Sequence, residues 1–406
     1  MRDKNNNDLP LKMKTTRFAI IGGAGYTGTT TIKDLLDTCH SIDKIIVVDS
    51  DLKKLEYVKE SFDSEYIETR KIDVLSENTV NELSDVDILI NCTPYRLNLK
   101  IMNLALAIKS HYLDMGGLFY MTQKQLIMNE KFAEANLTAI AGMGMAPGTT
   151  NIMARYAADR MEAVDEVHIK VAFYDQTVYE DKDAFPVSHA IGTTCQEFEY
   201  QAAVFTNGKM QFVEPASGGD EYEFPQPFNI RRPIYVLHSE LATLPESLKS
   251  KGIKEVSFKL AFNERFEKGM RFLKAMNLTS NEPIEINGVK ISPANFVEKV
   301  VMSRPRPRSQ EPKKSEIKRV IVKGTKDHKN ITWIMDYLSL QGVQWEKGKD
   351  KNVCSPISIA AQMVANQEIS QRGVFPPESV VDPDRYFEEL AKRKTTISIS
   401  ISPENN

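Results

Sequence analysis

Residues Phe18–Thr30 read FAIIGGAGYTGTT, with glycines at 23, 25 and 28 in the order G-x-G-x-x-G. Glycines at this spacing bind a dinucleotide when they follow a strand and open a helix. Gly23 is expected at the tight turn, Gly25 where the backbone approaches a pyrophosphate, and Gly28 where helix and strand pack closely. Ala24, Tyr26 and Thr27 complete the loop. The helix that follows offers N–H groups and a positive dipole end to the phosphates. Asp49, in KIIVVDS, lies about 20 residues past the glycines, where an acid holds the ribose 2′-hydroxyl. A carboxylate there repels a 2′-phosphate and favours NAD. Lys53 and Lys54 close by weaken that preference, so NADP stays possible. Asp73 follows the third candidate strand and could reach the adenine or serve a plain turn.

Ligands of open parallel sheets sit at the carboxyl ends of the strands. The fourth candidate strand ends in NCTPY, Asn91–Tyr95. Cys92, Thr93 and Pro94 are therefore expected near the nicotinamide end of the cofactor, with Tyr95 toward the substrate. The fifth ends in YLDMGG, where Asp114 could act in the site or cap the loop, and Gly116 and Gly117 could face the substrate. GMAPGTTN, residues 144–151, follows the sixth. Pro147 and Gly148 make a tight turn, Thr149 or Thr150 can cap the next helix, and with Asn151 this start offers N–H groups to a substrate carboxylate or the carboxamide. His238 and His189 are the best-placed of six histidines for proton transfer. Glu240 is a carboxylate alternative two residues from His238. Arg231 or Arg232 could bind a carboxylate, and Tyr174–Asp175 could line the cleft.

The apolar pattern supplies elements to position these residues. Runs at Phe18–Ile21, Lys44–Val48, Glu65–Ile72, Val86–Asn91, Tyr112–Asp114 and Leu137–Ala141 alternate with helix-like stretches near 27–37, 51–61, 77–84, 97–109 and 123–135. Strand–helix alternation means βαβ units and a parallel sheet. After Thr149 the pattern changes. A helix over Asn151–Arg160 precedes alternating strands at Glu166–Phe173, Glu255–Phe262, Lys318–Lys323 and Ile331–Tyr337. The last two read as a hairpin around the polar tip Gly324–Asn330. Pro356–Ile369 and Pro383–Arg393 look helical, and Arg304–Arg308 reads as a solvated basic loop. The expected fold is α/β: a Rossmann domain over 1–150, a mixed α+β substrate and dimerisation domain over 151–352, and helices in 353–406 returning to the first domain.

A chain of 406 residues suits about two domains of ~150–200 residues. Its 52 Lys and Arg against 55 Asp and Glu give a formal charge of −3, without the basic excess of a nucleic-acid binder. No stretch reaches the ~20 apolar residues that span a bilayer, and the polar start Met1–Asp8 lacks a signal region. Cys39, Cys92, Cys195 and Cys354 lie far apart, which fits a reducing cytoplasm and argues against a cysteine zinc site. No metal, membrane or nucleic acid is expected.

GGAGYTG (22–28), NCTPY (91–95), YLDMGG (112–117), AGMGMAPGTTNIMARYAAD (141–159), EFPQPF (223–228) and SPISIAAQMV…RGVFPPE (355–378) together resemble the saccharopine dehydrogenase family, including its lysine 6-dehydrogenase-like branch. The middle, roughly 175–350, matches more loosely. The resemblance implies a Rossmann domain with a mixed second domain, a homodimer, and NAD(P)-linked oxidation of an amine on an amino-acid skeleton, or the reverse. That chemistry needs a base to deprotonate the nitrogen, an acid in reverse, and a cation for the carboxylate, preferably Arg. His238, Glu240 and Asp114 are the candidates for proton transfer. Lysine, saccharopine and carboxyspermidine-type polyamine precursors all fit. Glu197, Glu199, Asp220 and Glu221 tilt the choice toward a basic substrate. Two other readings compete: an acyl-phosphate reductase using Cys195 as thiolate, and a dinucleotide sensor without catalysis.

Overall fold

A computed structural model of the chain describes residues 15–76, 78–178, 180, 191–303, 313–340, 345–346, 349–350 and 354–403. The apolar runs become strands of a parallel sheet covered on both faces. In chain order these are β1 (Thr16–Ile21), α1 (Tyr26–Thr38), β2 (Ile42–Asp49), α2 (Leu52–Ser61), β3 (Ile67–Lys71), α3 (Thr79–Glu82) and β4 (Ile88–Asn91). There follow α4 (Asn98–Ala107), β5 (His111–Asp114), α5 (Leu118–Leu126), α6 (Asn129–Glu134) and β6 (Thr138–Ile140). The strand order is 3-2-1-4-5-6, and a seventh strand, Gly373–Phe375, lies beside β6. Neighbouring strands are parallel throughout. This is a doubly wound nucleotide-binding sheet whose order reverses between β1 and β4. The single helix expected over 123–135 is two. Asn129 opens α6 and its Oδ1 accepts the Val374 N–H at 2.9 Å. A tertiary contact thus fixes a break that local periodicity does not show.

The second sheet follows α7 (Thr149–Asp159) and is built on β7 (Ala163–Asp175). With α8 (Ile191–Glu199), β8 (Ala202–Thr206) and β9 (Lys209–Val213), the order is Ile397–Pro403, Lys329–Ser339, Lys314–Lys326, β7, Glu255–Ala261, β8, β9. Strand Glu255–Ala261 runs parallel to β7, and Lys314–Lys326 antiparallel to it. The hairpin has longer arms than the sequence indicates. It turns on Asp327 and His328, whose φ values of 50° and 58° match the strands' right-handed twist. Side chains alternate across this sheet. Val167, Ile169, Val171, Val256, Phe258 and Leu260 join the main core, while Ala172 and Ala261 pack on the opposite face under Phe224 and Phe228.

The carboxyl-terminal segment divides between the two layers. Helix Ser355–Ala365 lies on α1, and Arg393 grips Asp34 of α1 at 2.9 Å. Strand Ile397–Pro403 instead extends the second sheet at its edge, antiparallel to Lys329–Ser339, with every residue after Ile397 exposed. The same apolar core includes Ile20 and Val47 of the first sheet and Phe258 and Met335 of the second. No helix among the described residues is long and apolar enough to cross a membrane.

Candidate active site

The left-handed turn after β1 falls on Gly22, at φ +72°, one residue before the position read from the sequence. Gly23 is required by crowding instead: a Cβ there would lie 2.7 Å from the Ile20 carbonyl and from Val47 Cγ1. A Cβ on Gly28 would lie 2.5 Å from Gly23 Cα, so α1 rests directly on the loop. Gly25 is the N-cap of α1, and its Cβ would meet only the Gly22 carbonyl, at 3.2 Å. No side chain caps that end of the helix. The Gly22–Gly28 loop, with Ala24, Tyr26 and Thr27, therefore fits a pyrophosphate at a positive dipole end. Asp49 closes β2 just after Val48, whose carbonyl accepts the Gly23 N–H at 3.0 Å. Half-buried there, it suits a ribose hydroxyl. Lys54 leans toward Asp51, 3.9 Å away, and Lys53 is exposed. Asp73 is exposed and accepts the Leu75 N–H at 3.0 Å, which favours the plain-turn reading.

β4 and β5 deliver two loops to the same sheet edge. Asn91 Oδ1 accepts the Thr93 N–H at 3.0 Å and its hydroxyl at 2.7 Å, and Asn91 Nδ2 donates to Asn98 at 3.0 Å. That fixes the backbone of Cys92 and Thr93 beside Gly22. Pro94 is exposed, and Tyr95 reaches across to donate its hydroxyl to Gln196 of α8. Burial pushes the Tyr95 phenol up to about 12. Asp114 is 1% exposed and fully engaged. Oδ1 accepts the Gly116 and Gly142 N–H groups at 2.8 and 2.9 Å. Oδ2 accepts the Tyr112 hydroxyl at 2.9 Å and the Gln125 amide. Asp114 is thus a clamp between two loops, not a proton carrier facing a cleft. Burial raises its pKa against those donors.

The 142–151 segment packs more tightly than its sequence suggests. Cβ atoms on Gly116 and Gly142 would lie 2.7 and 3.2 Å from the Pro147 ring, and one on Gly148, at φ +122°, would lie 2.1 Å from the Gly144 carbonyl. The N–H groups expected to meet a substrate are spent internally. Gly148 donates to Asn151 Oδ1 at 3.0 Å, Thr149 to the Gly144 carbonyl at 2.9 Å, and Thr150 to the Met145 carbonyl at 3.2 Å. Asn151 Nδ2 donates to Glu378 at 2.9 Å, and Ser247 donates to the other Glu378 oxygen at 3.0 Å. Thr149 bonds Tyr386 at 2.6 Å. Pro147, Gly148, Thr149 and Asn151 therefore hold the domains together and do not present a carboxylate site. Gly117 is buried beside Met121 and Asn98, and Gly116 is half-buried against Pro147.

His238 and Glu240 converge as the sequence suggested. His238 Nδ1 meets Glu240 Oε2, and Glu240 Oε1 accepts the Thr150 hydroxyl at 2.8 Å. The imidazole stacks on Phe258, centroid to centroid 3.7 Å at 3°. With the Nδ1 side committed to Glu240, Nε2 is the nitrogen left for exchange. Burial lowers the His238 pKa, but the Glu240 and Glu197 carboxylates outweigh it and the net shift is upward. Glu197, on α8, is 7% exposed. The 3-10 turn that carries Glu240, Ser239–Ala242, packs on α5, directly after the Asp114–Gly117 loop. The cluster therefore stands where the carboxyl edge of the first sheet meets the second domain. Phe119 packs edge-on against Phe212 of β9 across the same boundary, at 5.8 Å.

Other candidates are not brought there. Arg231 lies over the Tyr174 ring at 5.7 Å. Tyr174 shares its sheet face with Ala172, opposite to Phe258 and His238. Arg232 is exposed and paired with Glu221 at 2.7 Å. Asp175 is exposed, 3.8 Å from Lys314. Cys195 is buried and its thiol pushed up to about 12, and enclosure does the same to Cys92, so neither is a ready thiolate. His189 and Arg304–Arg308 lie outside the described residues. The sequence gives Glu197 only a place among the acids of the middle region and Thr150 only a helix-capping role, and it does not mark Gln196 or Phe258. No spacing marks these contacts, because Gln196 meets Tyr95, Phe258 meets His238 and Thr150 meets Glu240 only after folding.

A family model described as the saccharopine dehydrogenase NADP-binding domain matches residues 18–140, and one described as the saccharopine dehydrogenase C-terminal domain matches residues 144–396. The carboxyaminopropylagmatine dehydrogenase of Synechocystis sp. is 24% identical over 388 residues, covering 92% of this chain and 95% of the relative. The carboxynorspermidine synthase of Vibrio alginolyticus is 22% identical over 325 residues, 75% of each chain. The apo structure of saccharopine dehydrogenase (L-Glu forming) from Saccharomyces cerevisiae superposes with a TM-score of 0.71 at 14% identity, covering 95% of this chain and 100% of that one. At that identity the likeness concerns the fold alone.

Proposed function

The chain belongs to the saccharopine dehydrogenase family of NAD(P)-dependent oxidoreductases, and we propose that its substrate is a carboxyl-bearing secondary amine with a basic, polyamine-like arm. The observation that carries this reading is the buried His238–Glu240 couple with a second buried carboxyl, Glu197, within electrostatic reach. Two carboxylates around one imidazole make a site that favours cationic nitrogen. The names of the Synechocystis and Vibrio relatives point to carboxylated amines of the same kind.

In this reading Gly22–Gly28 and Asp49 hold the dinucleotide, and Cys92 and Thr93 back its nicotinamide end. A bound nicotinamide would supply the hydride chemistry at the carbon bearing nitrogen, in either direction. Glu240 fixes the His238 ring and its tautomer, Thr150 fixes Glu240, and Phe258 holds the imidazole plane. His238 Nε2 then donates or accepts a proton beside the reacting nitrogen. Tyr95, tied to Gln196, closes the first domain's loop against α8 and limits water. Asp114 keeps the loops at 116 and 142 in register without touching substrate. Arg96, exposed beside Tyr95, is the cation of that loop that we assign to the substrate carboxylate. NAD is the preferred cofactor on account of Asp49. A homodimer in a reducing compartment completes the reading, supported on the second point by four cysteines of which none is joined to another by a disulfide.

The test is a panel of carboxyaminopropylagmatine, carboxynorspermidine, saccharopine and lysine with NAD or NADP, followed by absorbance of reduced nicotinamide. Turnover of a carboxylated polyamine ahead of saccharopine and lysine is expected. Turnover of saccharopine alone would move the substrate to the amino-acid side of the family.

A further inference from the structure

The face of the second sheet turned away from the main core carries its charge in rows. On β7, Glu166, His168 and Lys170 alternate with the core residues Val167, Ile169 and Val171. Strand pairing carries each of the three across the sheet. Glu166 stands between Glu255 and Lys323. His168 stands between Ser257 and Ile321, with Ile334 next to Ile321. Lys170 stands between Lys259 and Arg319. An acidic row, a middle row and a basic row therefore follow one another along the strands. The basic row is out of balance within one chain. Like charges directly opposite destabilise a sheet, yet three cations are neighbours here. Arg319 has Asp336 at 2.7 Å. Among the described residues, Lys170 and Lys259 form no ion pair. Half-buried, each lies over an aromatic ring, Lys170 over Tyr222 at 4.8 Å and Lys259 over Tyr235 at 4.1 Å. Burial and the neighbouring cations lower the Lys170 amine to about 8. The 222–228 segment packs only on the far end of this face, over Ala172 and Ile317. The rest, from Lys170 to the hairpin tip and from strand Glu255–Ala261 to strand Ile397–Pro403, is a plane of roughly 24 by 26 Å. That is roughly 600 Å² before pleating, against about 800 Å² per partner in a standard interface.

We propose that this face docks on the same face of a second copy of the chain, about a two-fold axis lying along the middle row. The proposal rests on the homodimer of the reading above and names its surface. An axis in that direction reverses the strands, keeps each over its own counterpart and exchanges the acidic and basic rows. It sets Lys170 over Glu166 of the partner subunit and Lys259 over Glu255 of the partner subunit, each contact made twice. Ile321 and Ile334 lie on the axis, at the centre of the contact. Sheets packed face to face stand ~10 Å apart, within reach of a lysine and a glutamate meeting halfway. The acids have room for the lysines. Glu166 meets His168 and Lys323 at 2.9 and 3.0 Å, and Glu255 accepts the Asn207 N–H at 2.8 Å. A carboxylate offers about four acceptor sites, so each keeps capacity. A two-fold axis along the strands would instead lay the basic row on itself. The edge strand agrees with a close approach. Its Ser398, Ser400 and Ser402 pair with Asp336, Ile334 and Thr332, so small side chains border this face.

The experiment uses the full chain and its Lys170→Glu, Lys259→Glu and Glu255→Lys variants. Sedimentation velocity gives the dimer dissociation constant, and native mass spectrometry with one chain mass-tagged counts mixed dimers. The parent is expected to be a dimer. Each variant sets like charges against each other in two symmetric contacts, which interfaces penalise heavily. Its dissociation constant is expected to rise at least about 100-fold, with NADH affinity kept. Lys259→Glu and Glu255→Lys mixed in equal amounts are expected to pair at near-parental strength, because both contacts then join opposite charges. A variant that had merely lost its fold would not recover in the mixture. Parental dimer strength in all three variants overturns the proposal and leaves the homodimer to another surface. Dissociation without recovery in the mixture also overturns it. A parent that stays monomeric removes the homodimer reading and the proposal with it. A rise of that monomer's thermal midpoint with inorganic phosphate, lost in Lys170→Glu, would then assign the basic row to a small anion.

Discussion

Replacing Gly28 by Ala and Gly25 by Ala separates two tasks of one loop. The Gly28 Cβ would lie 2.5 Å from Gly23 Cα, 2.5 Å from the Gly23 carbonyl and 2.6 Å from the Gly22 carbonyl. Carbon atoms rest at about 3.5–4.0 Å, and all three neighbours are backbone, so none can swing aside. α1 must retreat from the loop by roughly 1 Å. Overpacking of this kind costs about 1–3 kcal/mol. At about 2–4 °C per kcal/mol for a domain of 150–250 residues, the midpoint of the first domain falls by several degrees. The retreat also misaligns donors aimed at phosphate, whose hydrogen bonds contribute about 1.5–3 kcal/mol each. Dinucleotide affinity then drops at least about tenfold. Gly25 is the contrast, since its Cβ meets only the Gly22 carbonyl, at 3.2 Å. Gly25→Ala is expected to melt within a degree or two of the parent yet bind NADH at least as poorly as Gly28→Ala. Thermal unfolding and NADH fluorescence titration read both. Parental NADH affinity in Gly25→Ala would refute the placing of the pyrophosphate. A parental midpoint in Gly28→Ala would refute the packing argument.

Asp49→Ala is expected to raise KM for NAD by about tenfold or more and leave KM for NADP nearly unchanged, as removal of one charged hydrogen bond requires; equal effects on both would remove Asp49 from the ribose. Asn151→Ala strips a donor from the buried Glu378 and an acceptor from the Gly148 N–H. It should cost roughly 1–3 kcal/mol in denaturant unfolding, with KM for the amine substrate unchanged; a selective rise in KM would restore Asn151 to the substrate site. Glu240→Gln tests the charge balance at His238, whose pKa is raised because Glu240 and Glu197 outweigh burial. A raised imidazole stabilises the fold below its unfolded value of about 6.5, and the contribution is lost as pH rises through the higher folded value. The stability difference between parent and variant should therefore be larger near pH 5.5 than near pH 9; a difference that grows with pH would contradict the pairing.

The parts legible in the sequence were those set by local pattern. Continuous apolar runs gave the parallel sheet, and the glycine spacing gave the loop, although Gly22 and not Gly23 carries the positive φ. His238 and Glu240 could be picked out because only Ser239 separates this titratable pair, which opens a 3-10 turn. What escaped depends on atoms far apart in the chain. Pro147–Asn151 looks like an open helix start, but its N–H groups bond back within the segment and its side chains engage Glu240, Glu378 and Tyr386, the last two more than two hundred residues on. Arg231 has the right type and neighbourhood, but it lies in a separate two-stranded ribbon over Tyr174, on the face of the second sheet opposite to Phe258. Glu197 sits among many acids, and nothing short of tertiary burial distinguishes it from Glu199 or Glu221.

The central claim is hydride exchange between a nicotinamide and a carbon bonded to nitrogen. Reduction of a preformed mixture of norspermidine or agmatine with a carboxyl-bearing aldehyde, using cofactor deuterated at the transferable position, tests it most directly by mass spectrometry of the product. The expected result is one deuterium on the carbon next to the new secondary nitrogen, with Gly25→Ala suppressing its appearance. Deuterium on a carbinol carbon, or unlabelled product, would contradict the assignment.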